Sequence, residues 1–218
     1  MKKKPPPARK RAIRPVRVGK TPRSPAKSAV PVTALVLHRL RAELAKAQAR
    51  IAELQASAET DFLLDILNRR GFARELTRAM AYIARYRANG ALVVLDVDRL
   101  KPINDAFGHA AGDEVLKAVV GQLRRHVRAS DVIARLGGDE FVLLLWNLSE
   151  ADALAKALQL EAAIDALSFS FGGSHVSAGA SAGIAVLGPD VPGIEALALA
   201  DSAMYARKNE RRASLAAG

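Results

Sequence analysis

The run A-L-V-V-L-D-V-D, from Ala91 to Asp98, is apolar, rich in β-branched residues and closed by two acids. It reads as a buried strand whose end lines a site, and the rest of the chain is organised around it. Upstream, Arg69 to Asn89 has the spacing of a helix. Downstream, Gly112 to Ala129 reads as a second helix, followed by strand Val132 to Leu136, a Gly137-Gly138 turn and strand Phe141 to Trp146. Ser149 is placed to cap a third helix reaching Leu167, Val176 to Leu187 reads as a further strand, and Ile194 to Arg212 as the last helix. Strands alternating with helices around one hairpin specify an α/β (α+β) domain, a sheet covered by helices.

The stretch preceding this domain has a different composition. From Thr33 to Glu59, Leu37, Leu40, Leu44, Ala47, Ile51, Leu54 and Ala58 recur at alternating spacings of three and four, the stripe of a parallel two-stranded coiled coil. A helix folded back on its own domain would use the same stripe. Residues 1 to 31 contain eleven Lys and Arg, seven Pro and no acid, so this segment accounts for the whole formal charge of +11 and the remainder is formally neutral. Such a composition predicts a disordered tail over 1–32, a solvated segment or the docking element for an acidic partner such as nucleic acid or lipid. The domain itself is expected over 61–213, with a short C-terminal tail over 214–218.

The 218 residues contain no cysteine, which excludes disulfides, thiolate metal sites and cysteine nucleophiles. No apolar run reaches the ~20 residues of a membrane-spanning helix, so a soluble, cytoplasmic protein is expected. Two acidic clusters stand out: Asp96 with Asp98 at one strand end, and Asp139 with Glu140 beside the glycine turn. Carboxylates so placed suit a hard cation such as Mg²⁺, which takes one or two carboxylates together with phosphate oxygens. Gly137 and Gly138 tolerate positive φ and let a ligand approach the main chain. Asn104 and Asp113 offer the amide and carboxylate that read a purine edge, although Asp113 also suits a helix cap. His109 reads as a structural residue of the Gly108-His109 loop, and Trp146 as core.

R-L-G-G-D-E-F at Arg135 to Phe141 resembles the signature of the GGDEF-domain diguanylate cyclases. So do L-D-V-D-R-L-K-P-I-N-D-A-F-G-H-A-A-G-D-E-V-L from Leu95 to Leu116, D-F-L-L-D-I-L-N-R-R-G-F from Asp61 and A-D-S-A-M-Y-A-R-K ending at Lys208. The resemblance implies a nucleotidyl-cyclase, palm-like domain with a central, mostly antiparallel sheet, and an enzyme that condenses two GTP into cyclic di-GMP as a homodimer held by the Thr33–Glu59 coiled coil. It implies two Mg²⁺ per half-site, with Mn²⁺ as an alternative, ligated by Asp96, the Val97 carbonyl, Asp139 and Glu140. It assigns catalytic work to Asp139, Glu140 and Lys101, guanine recognition to Asn104 and Asp113, and phosphate contacts to the amides of Arg99 and Leu100 with Lys101, Lys208 and Arg212. Gly137 and Gly138 fall in the substrate-facing turn.

Arg128 and Asp131 match the RxxD element of product inhibition in that family, although the helix expected to complete it offers Gln159 and Glu161. The chain departs from the family where L-T-G-L becomes Leu63-Leu64-Asp65-Ile66, and where glycine and asparagine become Arg211 and Ala213. A cyclic di-GMP receptor without turnover, or a nucleic-acid binder led by the tail, are the alternatives.

Overall fold

The computed structural model describes residues 32–217; the basic Pro-rich segment lies outside them. The described residues fall into two units, 32–47 and 48–217. Helix α1 (Val32–Glu59) is the sole element of the first unit and enters the second. Its heptad residues Leu37, Leu40, Leu44, Ile51 and Leu54 are each about half exposed. No helix among the described residues is long and apolar enough to cross a membrane.

The second unit continues with β1 (Thr60–Asp61), β2 (Ile66–Asn68), α2 (Arg69–Tyr86), β3 (Gly90–Asp98), α3 (Leu100–Phe107) and α4 (His109–His126). Then follow β4 (Val132–Gly137), β5 (Glu140–Trp146), α5 (Glu150–Asp165), the hairpin β6 (Ser168–Phe171) and β7 (Ser174–Ser177), β8 (Gly179–Leu187) and α6 (Gly193–Ala217). Six strands form one sheet in the order β1-β2-β4-β5-β3-β8, antiparallel except for β2 with β4. The expected mixed, mostly antiparallel domain is therefore present.

Strand β3 lies inside the sheet with both faces covered, which is why its sequence is apolar without alternation. Leu92 and Val94 pack with Phe72, Leu76 and Ile83 of α2 and with Ala200 and Met204 of α6. Val93, Leu95 and Val97 face Val115 and Val119 of α4 and Leu160 and Ile164 of α5. Each such fully buried side chain is worth about 1.5–3 kcal/mol. Gly183 lets α6 lie directly on β8, since a methyl there would collide with the Met204 amide and the Ala200 carbonyl.

Several boundaries differ from the sequence reading. Helix α4 starts at His109, so Asp113 lies inside it and is not its cap, and His109 opens the helix rather than occupying a loop. The Pro-containing segment before it is a helix of its own, α3, because Pro102 falls in the first turn where a missing N–H costs nothing. Val176 to Leu187 is two strands belonging to different sheets. The last helix continues past Arg212 to Ala217. Ser149 caps α5 as expected, in a reciprocal box with Asp152.

The departure at Asp65 has a local explanation. Its φ of 51° is left-handed, a conformation that glycine adopts without strain, and its amide and carbonyl are engaged by Asp61 O at 2.9 Å and Arg124 Nη2 at 2.6 Å. The side chain itself is exposed. Asp65→Gly keeps both main-chain bonds and relieves the backbone, so it should raise stability by about 0.5–1 kcal/mol. Urea unfolding of parent and variant measures this, and a less stable variant would show that the side chain holds the turn.

Candidate active site

The ends of three strands build the site. The β3–β5 register places Asp96 opposite Glu140, and the amide of Val97 donates to the carbonyl of Asp139 at 3.0 Å. On the other side of β3, Ser181 and Gly179 of β8 stand opposite Asp96 and Asp98. The four acids flagged in the sequence are thereby brought to one end of the sheet. Asp96 and Asp98 continue the Leu92, Val94 side of β3, which faces α2 and α6, so helix α6 supplies their cations. Lys208 Nζ donates to Asp96 Oδ1 at 2.5 Å, and Ser181 Oγ to Asp98 Oδ2 at 3.0 Å. Glu140 lies 3.9 Å from Arg69.

Asp96 is 6% exposed, and burial holds its carboxyl above the usual aspartate value, with the negative charges of Asp139 and Asp98 adding to the rise. Lys208 pulls the other way without cancelling it. The strand end thus gathers four carboxylates, of which Asp96 has the Lys208 ammonium, Asp98 the Arg211 guanidinium at 3.5 Å and Glu140 that of Arg69 at 3.9 Å. No group of three acidic or histidine side chains among the described residues forms a ready-made metal cage. An open set of hard oxygens, completed by phosphate and water, is the donor chemistry Mg²⁺ takes, so the residues fit that ion.

Beside the acids, α3 begins at Leu100 after Arg99, whose φ is 66° and whose side chain does not cap the helix. The first-turn amides are left for an anion. They open on a cavity of about 370 Å³ lined by Val97, Asp98, Lys101, Asp139, Lys208 and Arg212 among others. A second cavity of about 400 Å³ shares Leu100, Lys101 and Asp139 with it and is lined by Asn104, Gly112, Asp113, Arg135 and Gly138. Asn104 Oδ1 is buried there without a hydrogen-bond partner, an acceptor awaiting a donor. Gly112 packs directly against it, and a methyl there would force the Asn104 amide to move. Of the expected substrate-facing residues, Arg99, Leu100, Lys101, Asn104, Asp113, Gly138, Lys208 and Arg212 line one or other of these two adjoining cavities, while Gly137 lines a separate one with Asp61, Arg69 and Arg135.

Arg135 was not singled out in the sequence, although it opens the R-L-G-G-D-E-F string. Its Nη1 donates to Asp61 at 3.0 Å, while Nε and Nη2 donate to the Gly138 carbonyl at 2.9 and 2.6 Å. It clamps the glycine turn, whose Gly138 has φ of 50°. Arg128 and Asp131 lie before β4, away from the turn, on a separate cavity of about 630 Å³ with Arg124 and Asp65. Asp131 there accepts from the amides of Arg128 at 2.8 Å and Trp146 at 3.1 Å. Glu161 is buried against Arg207, and Gln159 accepts from Lys156.

Residues 58–214 match the family model "Diguanylate cyclase, GGDEF domain". The chain is 39% identical over 162 residues to diguanylate cyclase DgcP of Pseudomonas aeruginosa, covering 74% of this chain and 24% of that one. It is 41% identical over 179 residues to diguanylate cyclase TpbB of the same species, covering 79% and 41%. It therefore spans less than half the length of these curated relatives. Among solved structures, the coiled coil and GGDEF domain of DgcB from Caulobacter crescentus, in complex with c-di-GMP, superposes with a TM-score of 0.71 at 26% identity, covering 81% of this chain and 94% of that one. The GGDEF domain of P. aeruginosa TpbB superposes with a TM-score of 0.64 at 39% identity, covering 69% and 89%.

The raised pKa of Asp96 has a measurable consequence. A carboxyl that holds its proton more tightly folded than unfolded loses stability as the pH climbs from its unfolded value, near 3.8, through its higher native value. In metal-free protein the stability of the parent relative to Asp96→Asn should fall across that window and level off above it. Urea unfolding at stepped pH reads the difference; a difference that is flat or grows with pH would contradict the burial argument.

Proposed function

Since this chain belongs to the GGDEF family of diguanylate cyclases, we propose that it joins two GTP molecules into cyclic di-GMP with release of pyrophosphate. The observation that carries the reading is the pair of connected cavities meeting at Asp139, one walled by acids and cations and the other holding the unpartnered Asn104 amide oxygen. In it, Asn104 and Asp113 hold the guanine edge. The amides of Arg99 and Leu100, with the side chains of Lys101, Lys208 and Arg212, hold the triphosphate. Asp96, the Val97 carbonyl, Asp139 and Glu140 are the groups that would hold Mg²⁺, two ions per half-site, which when bound neutralise the triphosphate and polarise the α-phosphate.

Each step is a displacement at phosphorus: the 3′-oxygen of one GTP forms a bond to the α-phosphorus of the other, and the bond from that phosphorus to pyrophosphate breaks. A second, symmetric step closes the ring. Because each domain holds one GTP, two domains must face each other, and the exposed heptad stripe of α1 supplies a means of pairing them. Arg128, with Asp131, would bind product and restrain turnover. GTP places the reaction in the cytoplasm, and the basic segment 1–31 would serve an acidic partner.

Purified protein incubated with GTP and Mg²⁺ should yield cyclic di-GMP by chromatography, and Asp139→Ala should lose at least about 100-fold of that activity while keeping its circular dichroism. Product formed equally by the variant would sink the site assignment. Replacing Leu44 and Ile51 together by Gln should leave the domain folded but make specific activity fall on dilution. Equal turnover per chain from a variant shown to be monomeric would refute the paired-domain mechanism.

A further inference from the structure

Arg211 stands where the family usually has glycine, and its guanidinium lies among three carboxylates at the wall of the first cavity. Nη2 donates to both oxygens of Asp165 at 2.7 and 2.9 Å, and Nη1 lies 3.7 Å from Glu161. Nε lies 3.5 Å from Asp98, buried and without a hydrogen-bond partner. Arg207, one turn earlier on α6, holds Glu161 at 2.8 Å, so two arginines four residues apart meet two acids four residues apart on α5. Gly179, opposite Asp98, leaves room for the cluster: a methyl there would stand 3.0 Å from Asp165 Oδ1 and 3.4 Å from Arg211 Nη2.

We infer that Arg211 is a positioning residue that sets the affinity for GTP by cancelling the charge of Asp98 at the wall of the triphosphate cavity; the inference rests on the cyclase reading above. Asp98 lines that cavity together with Asp139, and a triphosphate must enter against both charges. Asp96 beside them has Lys208, but Asp98 has the neutral hydroxyl of Ser181 and, among the described residues, the one guanidinium of Arg211. That guanidinium lines the cavity as well, but its Nη2 is committed to Asp165 and three carboxylates surround it, so most of its charge is already offset before a phosphate arrives. Its effect is therefore to remove a repulsion, which acts on binding more than on the chemical step and depends on charge more than on shape.

The test uses the full chain with GTP and Mg²⁺, following cyclic di-GMP production against GTP concentration, with thermal unfolding measured in parallel. Arg211→Gln should raise KM for GTP about five- to tenfold with kcat within about twofold, and Arg211→Lys should keep KM within about twofold of the parent. Asp165→Asn loosens the same ladder but leaves the guanidinium one anion fewer, and retains an acceptor for the Ala180 amide; its KM should equal the parent's or lie below it. An unchanged KM in Arg211→Gln, or an equal rise in Asp165→Asn, would reduce the ladder to scaffolding and overturn the inference. If Arg211→Gln does not fold, the Arg211→Lys and Asp165→Asn pair decides by the same criteria. Calorimetric affinity for a non-reactive GTP analogue should follow the same order, so a parent that binds the analogue but makes no product refutes the cyclase reading while still testing Arg211, and a parent that binds none refutes both.

Discussion

The hydrogen bond from the Val97 amide to the Asp139 carbonyl, 3.0 Å long, closes the β3–β5 pairing, and the rest of the site depends on it. Asp96 and Asp139 are 43 positions apart in the chain, yet antiparallel register leaves them no option but to meet. A slip of one residue would turn Asp96 toward α4 and α5 and place Val97 among the cations of α6. Register is in turn held by apolar packing on both faces of β3, so the core specifies the site.

The site is assembled against its own electrostatics. Asp96 is buried beside two like charges, and its carboxyl resists ionisation for that reason. Natural chains accept such costs where a ligand repays them. Here Lys208 offsets part of the charge, and the unpartnered Asn104 oxygen marks a second unpaid group a short distance away. The Asn104 side chain lines one of the cavities beside α3, and Lys208, the partner of Asp96, lines the other together with Arg211, whose buried Nε is likewise without a hydrogen bond.

Helix α6 carries the cations, and its placement is secured by contacts to β8 and α5. Gly183 permits its close approach to β8, while Arg207 and Arg211 bind the carboxylates of α5. Those carboxylates do a second job. Glu161 accepts from the Ala182 amide at 2.9 Å and Asp165 from the Ala180 amide at 3.3 Å, covering the outer edge of β8, which would otherwise expose unpaired donors. Closing the sheet edge and fixing the cation-bearing helix are thus one structural device.

The sequence by itself determined the class of fold, the apolar central strand, the capped α5, and which acids, amide and cations are proposed for the site, because hydrophobic period, capping chemistry and a specific set of motifs are local properties of the chain. It did not disclose the separation of α3 from α4, since a proline inside an eight-residue helix and a glycine after it read as loop. Nor did it disclose the β6–β7 hairpin, because each strand is only four residues long, and the alternation Ser168-Phe169-Ser170-Phe171 of β6 is too short to stand out. Only the tertiary structure decided that Asp113 sits within a helix, that Asp61 and Arg135 brace the glycine turn, and that Arg211 joins Asp98 to α5. Those partners are separated by tens of residues, and a charged side chain's letter says nothing about which opposite charge folding will bring within reach.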